Sequence, residues 1–158
     1  MSTELTGGEA IMLDSQTLQL VLETARVNDS ISRYLSKSLK NKGYEFATTS
    51  ALSFLSTLEC GVNYASQIAR NLGVSRQMVA KTVKGLCLAG YLEQVDDVGK
   101  QKKIMFTSTG EQLMSDSRLL LADIDKVLNT QLSGKSLATM VTNLHKVQKL
   151  MVSLNDTA

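Results

Sequence analysis

Residues 65–84 read Ala-Ser-Gln-Ile-Ala-Arg-Asn-Leu-Gly-Val-Ser-Arg-Gln-Met-Val-Ala-Lys-Thr-Val-Lys, and their spacing is that of a helix-turn-helix. Ala69 is small where two helices must cross closely, Gly73 permits a left-handed turn, and Val74 and Val79 fill the space between the helices. Two ordinary core helices joined by a glycine turn would satisfy the same pattern. The remaining face of the second helix argues for more than packing. With Val79, Val83 and Leu86 turned inward, the other side presents Arg76, Gln77, Lys81 and Lys84 behind the capping Ser75. Such side chains suit base edges and phosphates in a major groove.

Downstream the period changes. Ala89-Gly90 ends the helix, and Tyr91 to Val95 and Lys102 to Thr107 read as two short strands around a polar stretch, Asp96 to Gln101, with Gly99 at its tip. That hairpin fits a wing whose Lys100, Lys102 and Lys103 would contact phosphate; a plain solvated turn fits it equally. Ser108-Thr-Gly-Glu111 and Thr109-Gly-Glu-Gln112 both match a capping box, so the next helix is expected to begin there and pack through Leu113, Leu120, Ile124, Val127 and Leu128 until Gly134. A last helix over about Ser136 to Leu154 carries Leu137, Val141, Leu144, Val147, Met151 and Leu154 in one stripe.

Upstream, Asn63 is the expected cap of the first helix of the motif. With Ser66 it forms a candidate contact to the DNA backbone at that helix's N-terminus. Thr48 or Thr49 caps a preceding helix bearing Leu52, Leu55 and Leu58. A long first helix runs from Ser15 to about Lys42, with Leu18, Val21, Leu22, Ala25, Ile31, Leu35 and Leu39 on one face. Residues 1–14 read as a mobile tail that could dock through Ile11, Met12 and Leu13.

Composition fits a folded, largely helical chain. Of 158 residues, 43% are hydrophobic and 20% charged, which excludes a disordered chain, and there is no proline or tryptophan. The net charge of +2 is unevenly spread. Residues 61–107 hold seven Lys or Arg against three acids, leaving the rest of the chain at −2, and local positive charge is what a nucleic-acid surface requires. Neither a signal-peptide pattern nor a membrane-length apolar run occurs, so a cytoplasmic protein is expected.

The order of long helix, helix-turn-helix, wing and two helices resembles the MarR family of bacterial transcriptional regulators over about residues 15–154. So do the run Gln67-Ile-Ala-Arg-Asn-Leu-Gly-Val-Ser-Arg76, the Gly90-Tyr-Leu-Glu93 that follows the recognition helix, and the Phe106-Thr-Ser-Thr-Gly110 that follows the wing. The resemblance implies a mainly α chain: a winged helix-turn-helix lobe (48–107) flanked by N- and C-terminal dimerisation helices (15–43 and 108–154) within a single domain, 15–158. It further implies a homodimer on a pseudo-palindromic operator, acting on transcription as a repressor or an activator, and a possible small-molecule effector. Intramolecular packing of the same apolar stripes is the alternative to the dimer. One element departs from the pattern: where the family's wing carries Asp-x-Arg-Arg, this chain has Asp96-Asp-Val-Gly-Lys100. Lysine can hold phosphate but lacks the arginine fork suited to a narrow minor groove. A winged-helix adaptor that has lost DNA contact is therefore the rival function.

Other residues point away from catalysis. Cys60 and Cys87 match no disulfide or metal spacing and read as buried, inert thiols, with a redox switch as the lesser alternative. The single histidine, His145, has no partners for a metal site, and the seven methionines read as core filler. No nucleophile–base pair, paired carboxylates or phosphate-binding glycine loop occurs, so no enzyme activity and no cofactor are expected.

Overall fold

The computed structural model describes residues 15–99 and 101–158. The expected tail of residues 1–14 and Lys100 of the wing lie outside them. The elements are α1 (Gln16–Asn41), α2 (Thr49–Glu59), α3 (Ala65–Leu72), α4 (Arg76–Leu88), β1 (Leu92–Asp96), β2 (Lys102–Phe106), α5 (Ser108–Gln131) and α6 (Ser136–Thr157). The chain is mainly helical with one small antiparallel hairpin, as its sequence implies. It divides into two compact units, the first reaching Ser115 and the second beginning at Asp116. No helix among the described residues is long and apolar enough to cross a membrane.

In the first unit, Ser15 caps α1 by accepting the Leu18 N–H at 3.2 Å. The apolar face expected of this helix is buried only towards its end. Leu39 is inaccessible, Leu18, Ile31 and Leu35 are half-buried, and Val21, Leu22 and Ala25 face solvent. Thr48 rather than Thr49 caps α2 through the Ala51 N–H, and that helix supplies Leu52, Phe54, Leu55 and Leu58 to the core. Ile68 and Ala69 of α3, Val79, Val83 and Leu86 of α4, Leu92 of β1, Ile104 of β2 and Leu113 of α5 join it. Each large aliphatic side chain buried in this way contributes about 1.5–3 kcal/mol.

Between α3 and α4 the chain turns at Gly73, whose φ of 64° and ψ of 33° lie in the left-handed region that glycine adopts without a Cβ penalty. The Val74 N–H then bonds the Ala69 carbonyl at 3.1 Å, so the small residue and the turn belong to one joint. Ser75 starts α4 by accepting the Met78 N–H at 3.1 Å.

The hairpin pairs Leu92 with Phe106 through to Asp96 with Lys102. It begins one residue later than the sequence suggests. Tyr91 belongs instead to the close of α4: its N–H bonds the Leu86 carbonyl at 3.0 Å, and its hydroxyl donates to the Glu45 carbonyl at 2.5 Å.

Two caps differ from expectation. Tyr64, not Asn63, holds the N-cap of α3, without a side-chain bond. Asn63 is drawn to β2 instead, its amide donating to the Ile104 carbonyl at 3.0 Å and its carbonyl accepting the Ile104 N–H at 2.8 Å. For α5, the capping hydroxyl is that of Thr107 rather than Ser108 or Thr109. It accepts the Gly110 N–H at 3.1 Å and donates to the Gly90 carbonyl. Position 110 has no room for a side chain: a Cβ there would lie 2.0 Å from the Tyr91 carbonyl oxygen.

The second unit holds the rest of α5 and all of α6. Leu120, Ile124 and Leu128 are half-buried, while Val127 is exposed. On α6, Val141, Leu144, Val147, Met151 and Leu154 face solvent.

Candidate nucleic-acid interface

Burial of Val79, Val83 and Leu86 fixes which way α4 faces. Their spacing of four and three places Gln77, Lys81, Lys84 and Leu88 in a line on the opposite side, with Arg76 in the first turn. Ser75, Arg76, Gln77, Lys81 and Lys84 are all exposed, so the structure brings the sequence-selected residues of this helix together on one surface. Arg76, Lys81 and Lys84 form no ion pair among the described residues, leaving their charge available to an outside anion. Ser75 Oγ accepts from the backbone, and its hydroxyl hydrogen remains a donor at the helix N-terminus.

Two apolar members of this surface escaped the sequence reading. Met78 is 56% exposed and Leu88 81% exposed. Leu88 was recoverable, because it continues the spacing of Gln77, Lys81 and Lys84 by one more turn. Open grooves flank the helix. One, of about 480 Å³, is lined by Ala65, Ala80, Val83, Lys84, Cys87, Leu88 and Gln94. The other, of about 330 Å³, lies between α2 and α4 beside Phe54 and Met78.

Ahead of α4, Ser66 is half-buried in the first turn of α3, whose leading N–H groups have no side-chain cap. Asn63 is tied to β2 as described, so its side chain holds the hairpin rather than α3.

The wing carries less free positive charge than its lysines suggest. Lys102 stands directly across from Asp96 in the ladder, an opposite-charge pairing that stabilises a hairpin and offsets the charge. Lys103 is half-buried, and its charge helps hold the Asp97 carboxyl below the ordinary value. The larger cause of that depression is a hydrogen bond from the Tyr64 hydroxyl to Asp97 Oδ2, followed by one from the Val98 N–H to Oδ1 at 2.8 Å. The same bond pushes the Tyr64 phenol up. Nothing local announces this pair, which lies 33 residues apart in sequence.

The thiols are not as expected. Cys60 is exposed rather than buried, and Cys87 is partly covered. Burial first, and then the Glu93 carboxylate, raise the Cys87 thiol above its ordinary value, opposite to the direction that activates a cysteine. His145 faces solvent on α6. Among the described residues, no group of three or more His, Cys, Asp or Glu side chains is placed to hold a metal ion.

Known structures share this architecture. A MarR transcriptional regulator from Methanosarcina mazei superimposes with a TM-score of 0.73 at 13% identity, over 88% of this chain and 99% of its own. The fold is that of the MarR regulators. The MarR-like arrangement extends to Staphylococcus aureus MepR in complex with DNA, with a TM-score of 0.65 at 16% identity, covering 82% of this chain and 96% of MepR. It also extends to the organohalide-sensing regulator RdhR-CbdbA1625 bound to 2,4-dichlorophenol, with a TM-score of 0.70 at 14% identity, covering 98% of this chain and 92% of that one. No family model matches the sequence, and no curated protein matches it. At these identities the MarR likeness is one of backbone architecture.

Proposed function

We propose that this chain is a transcriptional regulator that binds double-stranded DNA in a sequence-specific manner as a homodimer. The observation that carries the reading is the unpaired cationic and amide face of α4, Arg76, Gln77, Lys81 and Lys84, raised on a buried winged-helix scaffold. Ser75, Arg76, Gln77 and Lys81 lie nearest the base edges. Lys84, with Lys100, Lys102 and Lys103 of the wing, holds phosphate, and the uncapped N-terminus of α3 at Ser66 faces the backbone. Asn63 serves by fixing the hairpin beside that helix.

Dimerisation is supported by the solvent-facing aliphatic side chains of α1 and α6, among them Val21, Leu22, Val141, Leu144, Met151 and Leu154. Exposed apolar area of this extent on a soluble regulator marks an association surface. Two copies would set two recognition helices about one helical turn, ~10 base pairs, apart. The groove beside Val83, Cys87 and Leu88 offers a partly apolar space to a small-molecule effector, and one protein of the same fold holds a chlorophenol. A cysteine switch at Cys87 is disfavoured by its raised thiol. The adaptor alternative is favoured by one observation, the offset of the wing lysines by Asp96 and Asp97.

Selection of bound duplexes from a random pool at two salt concentrations tests the proposal. An inverted repeat with half-sites about one turn apart is the expected recovery; retention of no duplex even at low salt would leave the adaptor reading in its place. With the selected operator in hand, Arg76→Ala should lower specific affinity about 5- to 150-fold, as loss of a base contact worth about 1–3 kcal/mol, and leave random-sequence binding less affected. Equal losses on both would remove Arg76 from base readout.

A further inference from the structure

The wing is held against α3 at two separate heights. Near its middle, Asn63 bonds Ile104 through both amide and carbonyl. At its tip, the Tyr64 hydroxyl reaches Asp97, whose other oxygen accepts the Val98 N–H. Asn63 and Tyr64 are consecutive, so one short segment at the head of α3 sets the angle of the whole hairpin. The first tie uses backbone atoms on one side and is available to many sequences. The second joins two particular side chains across 33 residues; both are half-buried and neither belongs to the core.

We propose that Tyr64 and Asp97 are positioning residues for DNA binding: together they clamp the wing tip to the head of α3 and so fix where Lys102 and Lys103 of the wing meet phosphate. The inference rests on the DNA-binding reading above. Asp97 therefore acts against the sign of its charge. A carboxylate on a DNA-facing loop ordinarily repels phosphate, and deleting it would tighten binding; here its deletion frees the tip and weakens binding. The depressed carboxyl and raised phenol agree with the clamp, since each favours the protonation state in which phenol donates to carboxylate.

The opposite signs make the test decisive. Tyr64→Phe removes one oxygen and keeps the ring; Asp97→Ala removes the acceptor and the charge. Affinity for the selected operator is measured for the full-length wild type, both single variants and the double variant across a salt series, together with amide exchange at Val98 in the absence of DNA. Expected are a 3- to 10-fold loss in each single variant, a salt slope shallower by about one to two units as wing phosphate contacts are lost, and a double variant no weaker than the worse single. Val98 should exchange faster in all three variants, with α4 exchange unchanged.

Tighter binding by Asp97→Ala, unchanged binding by Tyr64→Phe, or additive losses in the double variant would each overturn the clamp while leaving the DNA-binding reading in place. Failure of the wild-type chain to bind any duplex would overturn both. If Val98 exchange rises while affinity and salt slope stay at wild-type values, the tie is structural alone and the positioning role falls.

Discussion

Adding one methyl group at position 110 should damage this fold about as much as emptying a core position. An alanine Cβ there would stand 2.0 Å from the Tyr91 carbonyl oxygen, 2.9 Å from its carbon and 3.1 Å from a Phe106 ring carbon. Ordinary carbon–oxygen contacts begin near ~3.3 Å, so the carbonyl must retreat by more than ~1 Å. That carbonyl accepts the Thr107 N–H at 3.0 Å, and the displacement stretches the bond beyond useful length. Overpacking of a closed site costs about 1–3 kcal/mol, and the weakened hydrogen bond adds about 1 kcal/mol. Alanine's better helix propensity recovers less than about 1 kcal/mol. The sum is a destabilisation of about 1–4 kcal/mol, or a Tm lowered by roughly 2–16 °C for a chain of this size.

Gly85 supplies the control. It lies within α4, where a Cβ would meet nothing within 4 Å, so the same substitution should stabilise by up to about 1 kcal/mol. Urea and thermal unfolding of both variants at one fixed protein concentration decide the matter. A Gly110→Ala variant within about 0.5 kcal/mol of wild type would refute the steric reasoning, as would a destabilised Gly85→Ala.

Further expectations concern the surfaces. Leu144→Glu places a charge on the exposed stripe of α6 and should leave helix content intact while shifting sedimentation from dimer to monomer; an unchanged sedimentation coefficient would remove α6 from the association surface. Iodoacetamide should modify exposed Cys60 before Cys87, whose thiol is raised by burial and by Glu93; peptide mass spectrometry showing the reverse order would contradict that assignment. The Tyr64–Asp97 tie should have an acid limit set by Asp97, besides the alkaline one set by ionisation of the raised Tyr64 phenol. Because the folded pKa of Asp97 is lowered, its contribution is present above the ordinary carboxylate range and disappears as pH falls through the depressed value. The Val98 amide resonance should follow that titration and stay constant near neutrality.

What the sequence makes legible here is what depends on neighbours within one or two turns. Ala69, Gly73 and Val79 define the turn between α3 and α4 because each acts on residues at most ten positions away, and the four-three spacing of Val79, Val83 and Leu86 assigns the outward face without any structure. The wing is legible as a hairpin for the same reason. Tertiary ties are not. Asn63 has the chemistry of an N-cap, yet a partner 41 residues away holds it. Ser108 and Thr109 satisfy a capping pattern that Thr107 fulfils, because only Thr107 also reaches the Gly90 carbonyl. The run from Phe106 to Gly110 is recognisable as a pattern, while its cause, the nearness of the Tyr91 carbonyl, depends on how the start of α5 lies against Tyr91. The apolar residues of α1 and α6 recur at helical spacing in the sequence; periodicity carries no information about which surface covers them.

The bond pair between Asn63 and Ile104 has a consequence for solubility. A two-stranded hairpin has two bare edges, each a template on which another chain can add a strand. Because the Ile104 N–H and carbonyl both point away from β1 to Asn63, the outer edge of β2 is already engaged at its midpoint. No run of free donors and acceptors long enough to seed intermolecular pairing remains along a five-residue strand so interrupted. The residue that steadies the wing therefore also blunts the β2 edge as a template for strand addition.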